Sequence, residues 1–188
     1  MIIGIDIDDT IAKTNERLIS EALEFDRKFV KGKGFKNKKA YSFMEMFYWS
    51  VVDVDNFLEH IRNSKFFLEL EPIDGALECI NSLYNDGYKI VFITRRKDSF
   101  RVKSITKKWL KKIGFKYHKL ILGAKEKGRI CEDLGVSLFI DNDIKNVYDA
   151  IHHGIDSLLI NDGYNKDEDE LKLVETWDEI NSYIRKEG

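Results

Sequence analysis

The amino-acid sequence predicts an α/β protein built on a parallel β-sheet. Short apolar runs rich in β-branched residues, beginning with residues 2–7, alternate with longer stretches whose apolar residues recur at helical spacing. This alternation is typical of parallel strands joined by right-handed helical crossovers. The chain has 188 residues, of which 43% are hydrophobic and 34% are charged. This size and composition indicate one globular domain with room for an inserted subdomain.

The predicted strands and helices alternate along most of the chain. The strands are residues 2–7, 88–93, 120–122, 136–140 and 157–160, of which the final run is expected to be the last strand. The helices are residues 76–85, 101–113, 127–134, 146–152 and 177–184. Ligands of parallel sheets bind beyond the carboxyl ends of the strands, near the point where the strand order reverses. We therefore expect Asp6, Asp8, Thr94 and Asp141 to converge at that edge.

Residues 14–70 have a different character and predict a small helical insertion. Apolar residues recur there at helical spacing in two stretches, and no strand-like alternation is evident. The basic stretch at residues 28–39 is most simply a solvated loop, and the alternative is a cationic rim that attracts an anionic substrate. The insertion also holds an aromatic group, Tyr41, Phe43, Phe47, Tyr48 and Trp49. Most of these rings are expected to fill its interior, and the alternative is a wall for base stacking.

Three aspartates and a threonine follow the first predicted strand, at Asp6, Asp8, Asp9 and Thr10. Carboxylates repel one another and are costly to desolvate, so such a cluster needs a positive countercharge, which Mg2+ can supply. Asp6 can attack phosphorus and form an aspartyl-phosphate, while Asp8 protonates the leaving oxygen and then activates water. The alternative for this motif alone is a surface turn that caps a helix.

Three further residues suit phosphoryl transfer. Thr94, after the second predicted strand, offers a hydroxyl donor to a phosphoryl oxygen. A lysine upstream of Asp141 can neutralise both the nucleophile and the charge that spreads over the phosphoryl oxygens. Asp141, after the fourth predicted strand, can join Asp6 as a ligand of Mg2+.

The order Asp-x-Asp-x-Thr, strand-Thr, Lys and strand-Asp-x-Asp resembles the haloacid dehalogenase (HAD) superfamily of phosphatases over nearly the whole chain. The resemblance implies a three-layer, Rossmann-like parallel sheet formed by residues 1–13 and 71–188. It also implies a small helical cap, residues 14–70, inserted after the first strand. The implied activity is Mg2+-dependent phosphomonoester hydrolysis. The implied catalytic residues are Asp6, Asp8, Thr94 and Lys127, and the implied metal ligands are Asp6, Asp8 and Asp141.

Within that superfamily, the chain resembles the small 5′(3′)-deoxyribonucleotidase-like branch. The resemblance depends on the helical insertion between the first two motifs, on residues 72–77 and on residues 161–165, which read Asn-Asp-Gly-Tyr-Asn. It implies a nucleotide as the substrate. The alternatives are a phosphatase for a sugar phosphate or other small metabolite, and a binding module that keeps the fold without turnover.

Three positions depart from the superfamily pattern or leave a choice open. Asp9 stands where glycine is often found, a substitution that a loop can accommodate. Asn142 stands where a second consecutive aspartate is common, so the outer acidic role falls to either Asn142 or Asp143. The active-site lysine is either Lys125 or Lys127, and Lys127 is favoured because it starts the next predicted helix.

Composition argues against several other classes of protein. The net charge of -2 argues against general nucleic-acid binding. The family resemblance implies a small phosphorylated molecule as the partner. No apolar stretch is long enough to cross a membrane. Cys79 and Cys131 lie far apart without metal-ligand spacing, so both are expected to be reduced core residues of a cytoplasmic protein. The sequence does not indicate an oligomeric state.

Overall fold

A computed structural model describes residues 1–40, 42–161 and 171–187 of the chain. Within these residues the sheet has six strands: β1 (Ile2–Ile5), β2 (Lys89–Ile93), β3 (Lys119–Ile121), β4 (Leu138–Asp141), β5 (Asp156–Ile160) and β6 (Lys172–Val174). The helices are α1 (Thr14–Phe25), α2 (Phe43–Met46), α3 (Val51–Asn63), α4 (Ala76–Asn85), α5 (Phe100–Ile113), α6 (Lys127–Leu134), α7 (Ile144–His152) and α8 (Trp177–Glu187). A π-helical turn, Asp26–Val30, and a 3-10 turn, Phe66–Leu68, complete the regular structure of this part of the chain.

All strand pairs of the sheet are parallel, and the strand order is β3-β2-β1-β4-β5-β6. The order reverses between β1 and β4, which pair from Ile3 with Leu138 to Ile5 with Ile140. The interior strands are apolar on both faces because helices cover the sheet, and Ile3, Ile5 and Ile140 are fully buried. The predicted parallel α/β fold with flanking helices is confirmed, and the carboxyl ends of β1 and β4 adjoin at the reversal.

The structure corrects the end of the first strand and the identity of the last one, while β2, β3, β4 and β5 differ from their predictions by one or two terminal residues. β1 ends at Ile5 rather than at residue 7, because the chain turns immediately and the carbonyl of Ile7 accepts hydrogen bonds from the amides of Ile11 and Ala12. The expectation that residues 157–160 form the last strand is wrong, since β6 pairs with β5 at the sheet edge. At three residues, β6 is too short to display a period-two pattern in the sequence.

The helix predictions agree closely with the structure. α4 and α6 have the predicted bounds, and α5, α7 and α8 differ from their predictions by one to three terminal residues. Side-chain caps explain two of these differences. The hydroxyl of Ser99 accepts from the amide of Val102 and starts α5, and the carboxylate of Asp143 accepts from the amide of Lys145 and starts α7.

The chain divides into two compact units. One comprises Met1–Lys13 and Glu71–Gly188, and the other comprises Thr14–Leu70. The two segments of the first unit meet where the chain passes into the second. The amide of Lys13 donates to the carbonyl of Glu71 at 2.9 Å, and the amide of Ile73 donates to the carbonyl of Ile11 at 2.9 Å. That the second unit acts as a cap stays a prediction.

The second unit is helical and has an aromatic interior. Phe47 and Trp49 are buried and stack with ring centroids 4.6 Å apart, as expected for residues that fill the interior. Tyr48, by contrast, is 62% exposed. Tyr41 lies outside the described residues, as does most of the 161–165 segment. The lysines of the basic stretch are exposed, as a solvated loop requires.

A buried carboxylate holds this interior together. Asp26 is 2% exposed and accepts a hydrogen bond of 2.6 Å from the Trp49 indole nitrogen and one of 2.9 Å from the Gly34 amide. The two bonds tie the π-helical turn to the aromatic cluster and to the basic loop. Buried carboxylates are costly unless they are hydrogen-bonded, so these donors stabilise the unit.

Two further sequence expectations can be compared with the structure. Cys79 and Cys131 are free and buried, as expected for reduced core residues. Among the described residues, no helix combines the length and apolar character needed to cross a membrane.

Replacing Trp49 with phenylalanine should destabilise the protein by about 1.5–3 kcal/mol, because the ring can still stack while Asp26 loses a donor. Unfolding in urea followed by circular dichroism measures the change. The matched control is Tyr48→Phe, which removes a polar group from the exposed neighbouring ring and should change stability by less than about 0.5 kcal/mol. Equal effects of the two variants would contradict a stabilising role for the Trp49–Asp26 bond.

Candidate active site

The first motif forms a tight loop at the carboxyl end of β1. The amide of Asp6 donates to the carbonyl of Ile140 at 3.0 Å, so the chain leaves the sheet still attached to β4. The carbonyl of Thr10 accepts a bond of 3.1 Å from the indole of Trp177, and the Thr10 hydroxyl donates to Asn142 Oδ1 at 3.3 Å. These contacts fix the loop against both α8 and the chain that follows β4.

Asp9 adopts a left-handed backbone conformation, with φ of 58°. Side chains other than glycine are disfavoured there because Cβ crowds the following carbonyl, although aspartate and asparagine are the most tolerated. The conformation explains why glycine suits this position of the motif. The loop accommodates Asp9, as the sequence analysis expected, in a conformation that glycine would adopt more easily.

Lys127 occupies the centre of the site. Its side chain is 1% exposed, and Nζ donates to Asp6 Oδ1 at 2.5 Å and to Asp141 Oδ2 at 2.7 Å. It is the first residue of α6, so the helix start places the ammonium between the ends of β1 and β4. Lys125, the other candidate, is exposed. The structure thus brings Asp6, Lys127 and Asp141 into direct contact.

The residue after Lys127 must be small. A Cβ atom on Gly128 would lie 2.3 Å from the backbone oxygen of Asp149, a distance that no carbon atom tolerates. The Gly128 amide also donates to Asp149 Oδ2 at 2.7 Å. Glycine therefore lets the start of α6 approach α7 closely, and the approach fixes the position of the lysine.

Burial and neighbouring charges shift the pKa values of Asp6, Lys127 and Asp141. Burial raises the pKa of Asp6 to about 8 against the lowering effect of Lys127, and the charges of Asp141 and Asp8 add to the rise. Burial likewise raises the pKa of Asp141. Burial alone would lower the pKa of Lys127, but the two carboxylates outweigh it and the pKa is raised. One ammonium therefore serves two buried carboxylates, and the raised pKa values mean that this site takes up a proton more readily than ordinary aspartates do, a place that a further cation could take.

Asp141 is held by two donors besides Lys127. The amide of Asp143 donates to Oδ1 at 2.8 Å, and the Asn146 carboxamide nitrogen donates to Oδ2 at 3.0 Å. Asn146 is buried in the first turn of α7 and was not among the predicted site residues. The available signal was a carboxamide one helical turn after the fourth motif, which is too common a pattern to indicate a site by itself.

Neither candidate for the outer acidic role contacts the central lysine. Asn142 accepts the hydrogen bond from the Thr10 hydroxyl, while the Asp143 carboxylate caps α7 by accepting from the amide of Lys145 at 2.9 Å. Both side chains therefore have structural contacts of their own. Which of them takes an outer acidic role stays a prediction.

Asp8 is paired with Arg96, which was not among the predicted site residues. Nη2 of Arg96 lies 2.7 Å from Asp8 Oδ1, and Nε lies 3.0 Å from Asp8 Oδ2. Arg96 is buried, whereas the adjacent Arg95 is exposed and lies 3.7 Å from Asp143 Oδ2. The sequence signal was two arginines directly after Thr94, but nothing in their order shows which one turns inward.

Thr94 is buried at the end of β2, and its amide continues the sheet by donating to the carbonyl of Ile121 at 3.0 Å. Its hydroxyl oxygen accepts a bond of 3.2 Å from the amide of Arg96. A threonine hydroxyl that accepts one bond can still donate its own hydrogen. This geometry suits the predicted donation to a phosphoryl oxygen.

The donor set at the centre fits Mg2+. In the described ranges, no three His, Cys, Asp or Glu side chains are grouped so as to hold a metal ion by themselves. Mg2+ commonly needs fewer, since it takes one or two carboxylates and completes its shell with water and substrate phosphate oxygens. Asp6 and Asp141, joined through one ammonium, supply two such carboxylates. The predicted ligand role of Asp8, whose carboxylate pairs with Arg96, stays a prediction.

Comparison with known proteins adds family evidence to this geometry. The model of the family described as "5' nucleotidase, deoxy (Pyrimidine), cytosolic type C protein" matches residues 1–187. A Bacillus cereus protein named "Putative nucleotidase" is 23% identical over 100% of both chains. These matches agree with the predicted resemblance to nucleotidases of the HAD superfamily.

Solved structures share the fold. A "Putative Phosphatase" from Clostridium difficile has a TM-score of 0.73 at 16% identity, covering 97% of this chain and 97% of its own. A HAD-type protein from Bacillus subtilis, solved bound to magnesium, has a TM-score of 0.64 at 13% identity, covering 98% of each chain. At these identities the likeness concerns the fold alone, and it confirms the predicted Rossmann-like α/β fold.

Two substitutions at Asp9 test the strained loop. Asp9→Gly should be more stable than Asp9→Ala by about 1 kcal/mol, because only glycine adopts the left-handed conformation without a steric cost. Comparing these two variants cancels the contacts of the aspartate side chain, which both lose. Thermal or urea unfolding measures the difference.

The opposite order is expected at Lys108, an exposed residue inside α5, where glycine should be less stable than alanine by about 0.5–1 kcal/mol. An Asp9→Ala variant as stable as Asp9→Gly would show that the loop carries no such strain.

Proposed function

Because this chain belongs to the family of cytosolic type C deoxy (pyrimidine) 5′-nucleotidase proteins, we propose that it hydrolyses nucleoside monophosphates through an aspartyl-phosphate intermediate. The family makes the chain a phosphatase- or nucleotidase-type hydrolase. The observation that carries the proposed mechanism is the buried Lys127, which contacts Asp6 and Asp141 together. A nucleotide as the substrate is supported by the family description.

The first proposed step transfers the phosphoryl group to Asp6. Lys127 binds Oδ1 of Asp6, and we assign the attack on phosphorus to Oδ2. A bond forms between Oδ2 and phosphorus while the bond from phosphorus to the ester oxygen breaks. Asp8 gives its proton to that leaving oxygen, so the nucleoside departs as an alcohol. The Thr94 hydroxyl and the Lys127 ammonium offset the negative charge on the phosphoryl oxygens.

The second proposed step hydrolyses the intermediate. Asp8, now a carboxylate, takes a proton from water as the water oxygen bonds to phosphorus. The bond from phosphorus to Asp6 Oδ2 breaks, which releases inorganic phosphate and restores the Asp6 carboxylate. Asp8 ends the cycle protonated, so atoms and charge balance over the two steps.

We further propose that Asp6 and Asp141 hold Mg2+. The ion would neutralise charge on the nucleophile and on the phosphoryl group when it is bound. The support is the pair of buried carboxylates that share the single ammonium of Lys127, together with the magnesium described in the Bacillus subtilis structure. Asn146 and the Asp143 amide would then orient Asp141 by their hydrogen bonds, as outer partners of metal ligands do.

A cytoplasmic location is proposed as well. It is supported by the family description as cytosolic and by the free state of Cys79 and Cys131.

Replacing Asp6 with asparagine should lower phosphate release by more than about a thousandfold, because the amide is isosteric but a poor nucleophile. Release is measured with nucleoside monophosphates, sugar phosphates and 4-nitrophenyl phosphate, and a nucleoside monophosphate should give the highest kcat/KM. The control Asp133→Asn makes the same change on the exposed face of α6 and should leave activity within about twofold.

Near-wild-type release by a folded Asp6→Asn variant would overturn the covalent mechanism. A preference for sugar phosphates over nucleotides would overturn the substrate class and leave the mechanism standing.

Removal of divalent metal should abolish phosphate release, and Mg2+ should restore it. Calorimetric titration of Mg2+ should show at least about tenfold weaker binding to Asp141→Asn than to the wild type, because one of two carboxylate ligands is lost. Asp133→Asn should bind Mg2+ as the wild type does. Full activity after exhaustive chelation, or unchanged Mg2+ affinity in Asp141→Asn, would contradict the proposed metal site.

A further inference from the structure

The contact between Arg96 and Asp8 has the geometry of a fork. Nε of Arg96 lies 3.2 Å from Asp8 Oδ1 and 3.0 Å from Oδ2, and Nη2 lies 2.7 Å from Oδ1. The guanidinium therefore contacts both carboxylate oxygens from one side. A bidentate contact of this kind fixes the plane of a carboxylate, whereas a single ammonium contact leaves it able to rotate.

On the side away from Asp8, the Arg96 guanidinium is held by residues of α5. Its remaining nitrogen, Nη1, donates to the Thr106 hydroxyl at 3.3 Å, and its central carbon lies 5.8 Å from the centre of the Trp109 ring. Thr106 and Trp109 are buried residues of α5. Each nitrogen of the guanidinium thus contacts Asp8 or Thr106, so Arg96 is built to hold a neighbour rather than to bind a substrate.

The backbone of Arg96 is anchored on both sides. Its amide donates to the Thr94 hydroxyl oxygen at 3.2 Å, and its carbonyl accepts from the amide of Gly123 at 2.8 Å. The loop after β2 is therefore tied to the chain after β3. One residue in this way connects the orientation of the Thr94 hydroxyl to that of the Asp8 carboxylate.

Exposure differs sharply across the pair. The Arg96 side chain is 4% exposed, whereas the Asp8 side chain is 30% exposed. Stability alone accounts poorly for this arrangement, because desolvation of a buried arginine offsets much of the attraction within an ion pair. A carboxylate that is held by a buried arginine and is itself partly exposed suits exchange of protons with a bound molecule.

We infer that Arg96 is a positioning residue, which holds the Asp8 carboxylate in the orientation needed to protonate the leaving oxygen and then to activate water. This inference rests on the proposed function. It assigns to Arg96 no contact with the substrate, so the residue acts through Asp8.

The leaving group provides a readout that separates positioning from a structural role. A nucleoside alkoxide is a poor leaving group and needs a proton, whereas 4-nitrophenolate leaves readily without one. Misplacing Asp8 should therefore slow release of the nucleoside from a nucleoside monophosphate much more than release of 4-nitrophenolate from 4-nitrophenyl phosphate. A structural defect would lower both rates together by reducing the amount of folded enzyme.

The experiment compares Arg96→Lys and Arg96→Gln with the wild type on both esters. The first step is measured alone, as the rate at which the leaving group is released in a single turnover, because hydrolysis of the shared aspartyl-phosphate also needs Asp8. We expect this rate to fall by about a hundredfold or more for the nucleotide, and by less than about tenfold for 4-nitrophenyl phosphate. KM should change little, since Arg96 does not contact substrate. Arg185→Lys is the matched control, because it alters an arginine–aspartate pair, with Asp86, on the exposed surface. It should change neither rate by more than about twofold.

A double-mutant cycle shows whether Arg96 acts through Asp8. In an Asp8→Asn background, Arg96→Lys should cause no further loss of rate with the nucleotide as substrate, because there is no acid left to position. If the Arg96 variants fail to fold, Thr106→Val keeps the guanidinium and removes only its rear contact. Thr106→Val should lower the rate with the nucleotide by about threefold to tenfold, and it should again lower the rate with 4-nitrophenyl phosphate less.

The outcomes separate the two levels of the proposal. Two results would overturn the positioning role: equal losses of rate on the two esters in the Arg96 variants, or additive losses of rate in the double-mutant cycle. The proposed function would still stand in either case, provided that the wild type hydrolyses the esters and that this hydrolysis depends on Asp6. A wild type that releases phosphate from neither ester, with Mg2+ supplied, would overturn the proposed function, and the role of Arg96 would fall with it.

Discussion

One buried ammonium shared by two carboxylates organises this structure. Lys127 joins Asp6, after β1, to Asp141, at the end of β4, so it bridges the two strands between which the sheet order reverses. Its position depends on Gly128, which lets the start of α6 approach α7. α7 in turn supplies Asn146 to Asp141. A series of close contacts therefore connects α6, α7, β1 and β4 to the ammonium of Lys127, and the position of the ammonium depends on all four elements.

Much of this arrangement could be predicted because it follows from local pattern and from sheet geometry. Asp6, Thr94 and Asp141 stand at the ends of apolar runs, and parallel strands bring such ends to one edge. The bounds of α4 and α6 were predictable because each helix combines clear periodicity with a glycine that follows its last turn. Lys127 was favoured over Lys125 by the same reasoning, since only Lys127 begins a helix.

The features that could not be predicted depend on packing and hydrogen bonds that the local sequence pattern does not record. β6 has three residues and becomes a strand by pairing with β5, which no local pattern records. Arg95 and Arg96 are adjacent and chemically identical, and only the packing of α5 determines that Arg96 turns inward. The left-handed backbone of Asp9 is imposed by hydrogen bonds across the loop, because aspartate is compatible with several conformations.

The hydrogen bonds at the entry to the second unit bear on how this protein could diversify. Lys13 with Glu71, and Ile11 with Ile73, close the chain side by side before and after residues 14–70. The first unit thus fixes both attachment points itself, and the entropy of closing a loop grows only slowly with its length. Segments of different size and shape could be exchanged at this junction through evolution while the reacting groups keep their geometry.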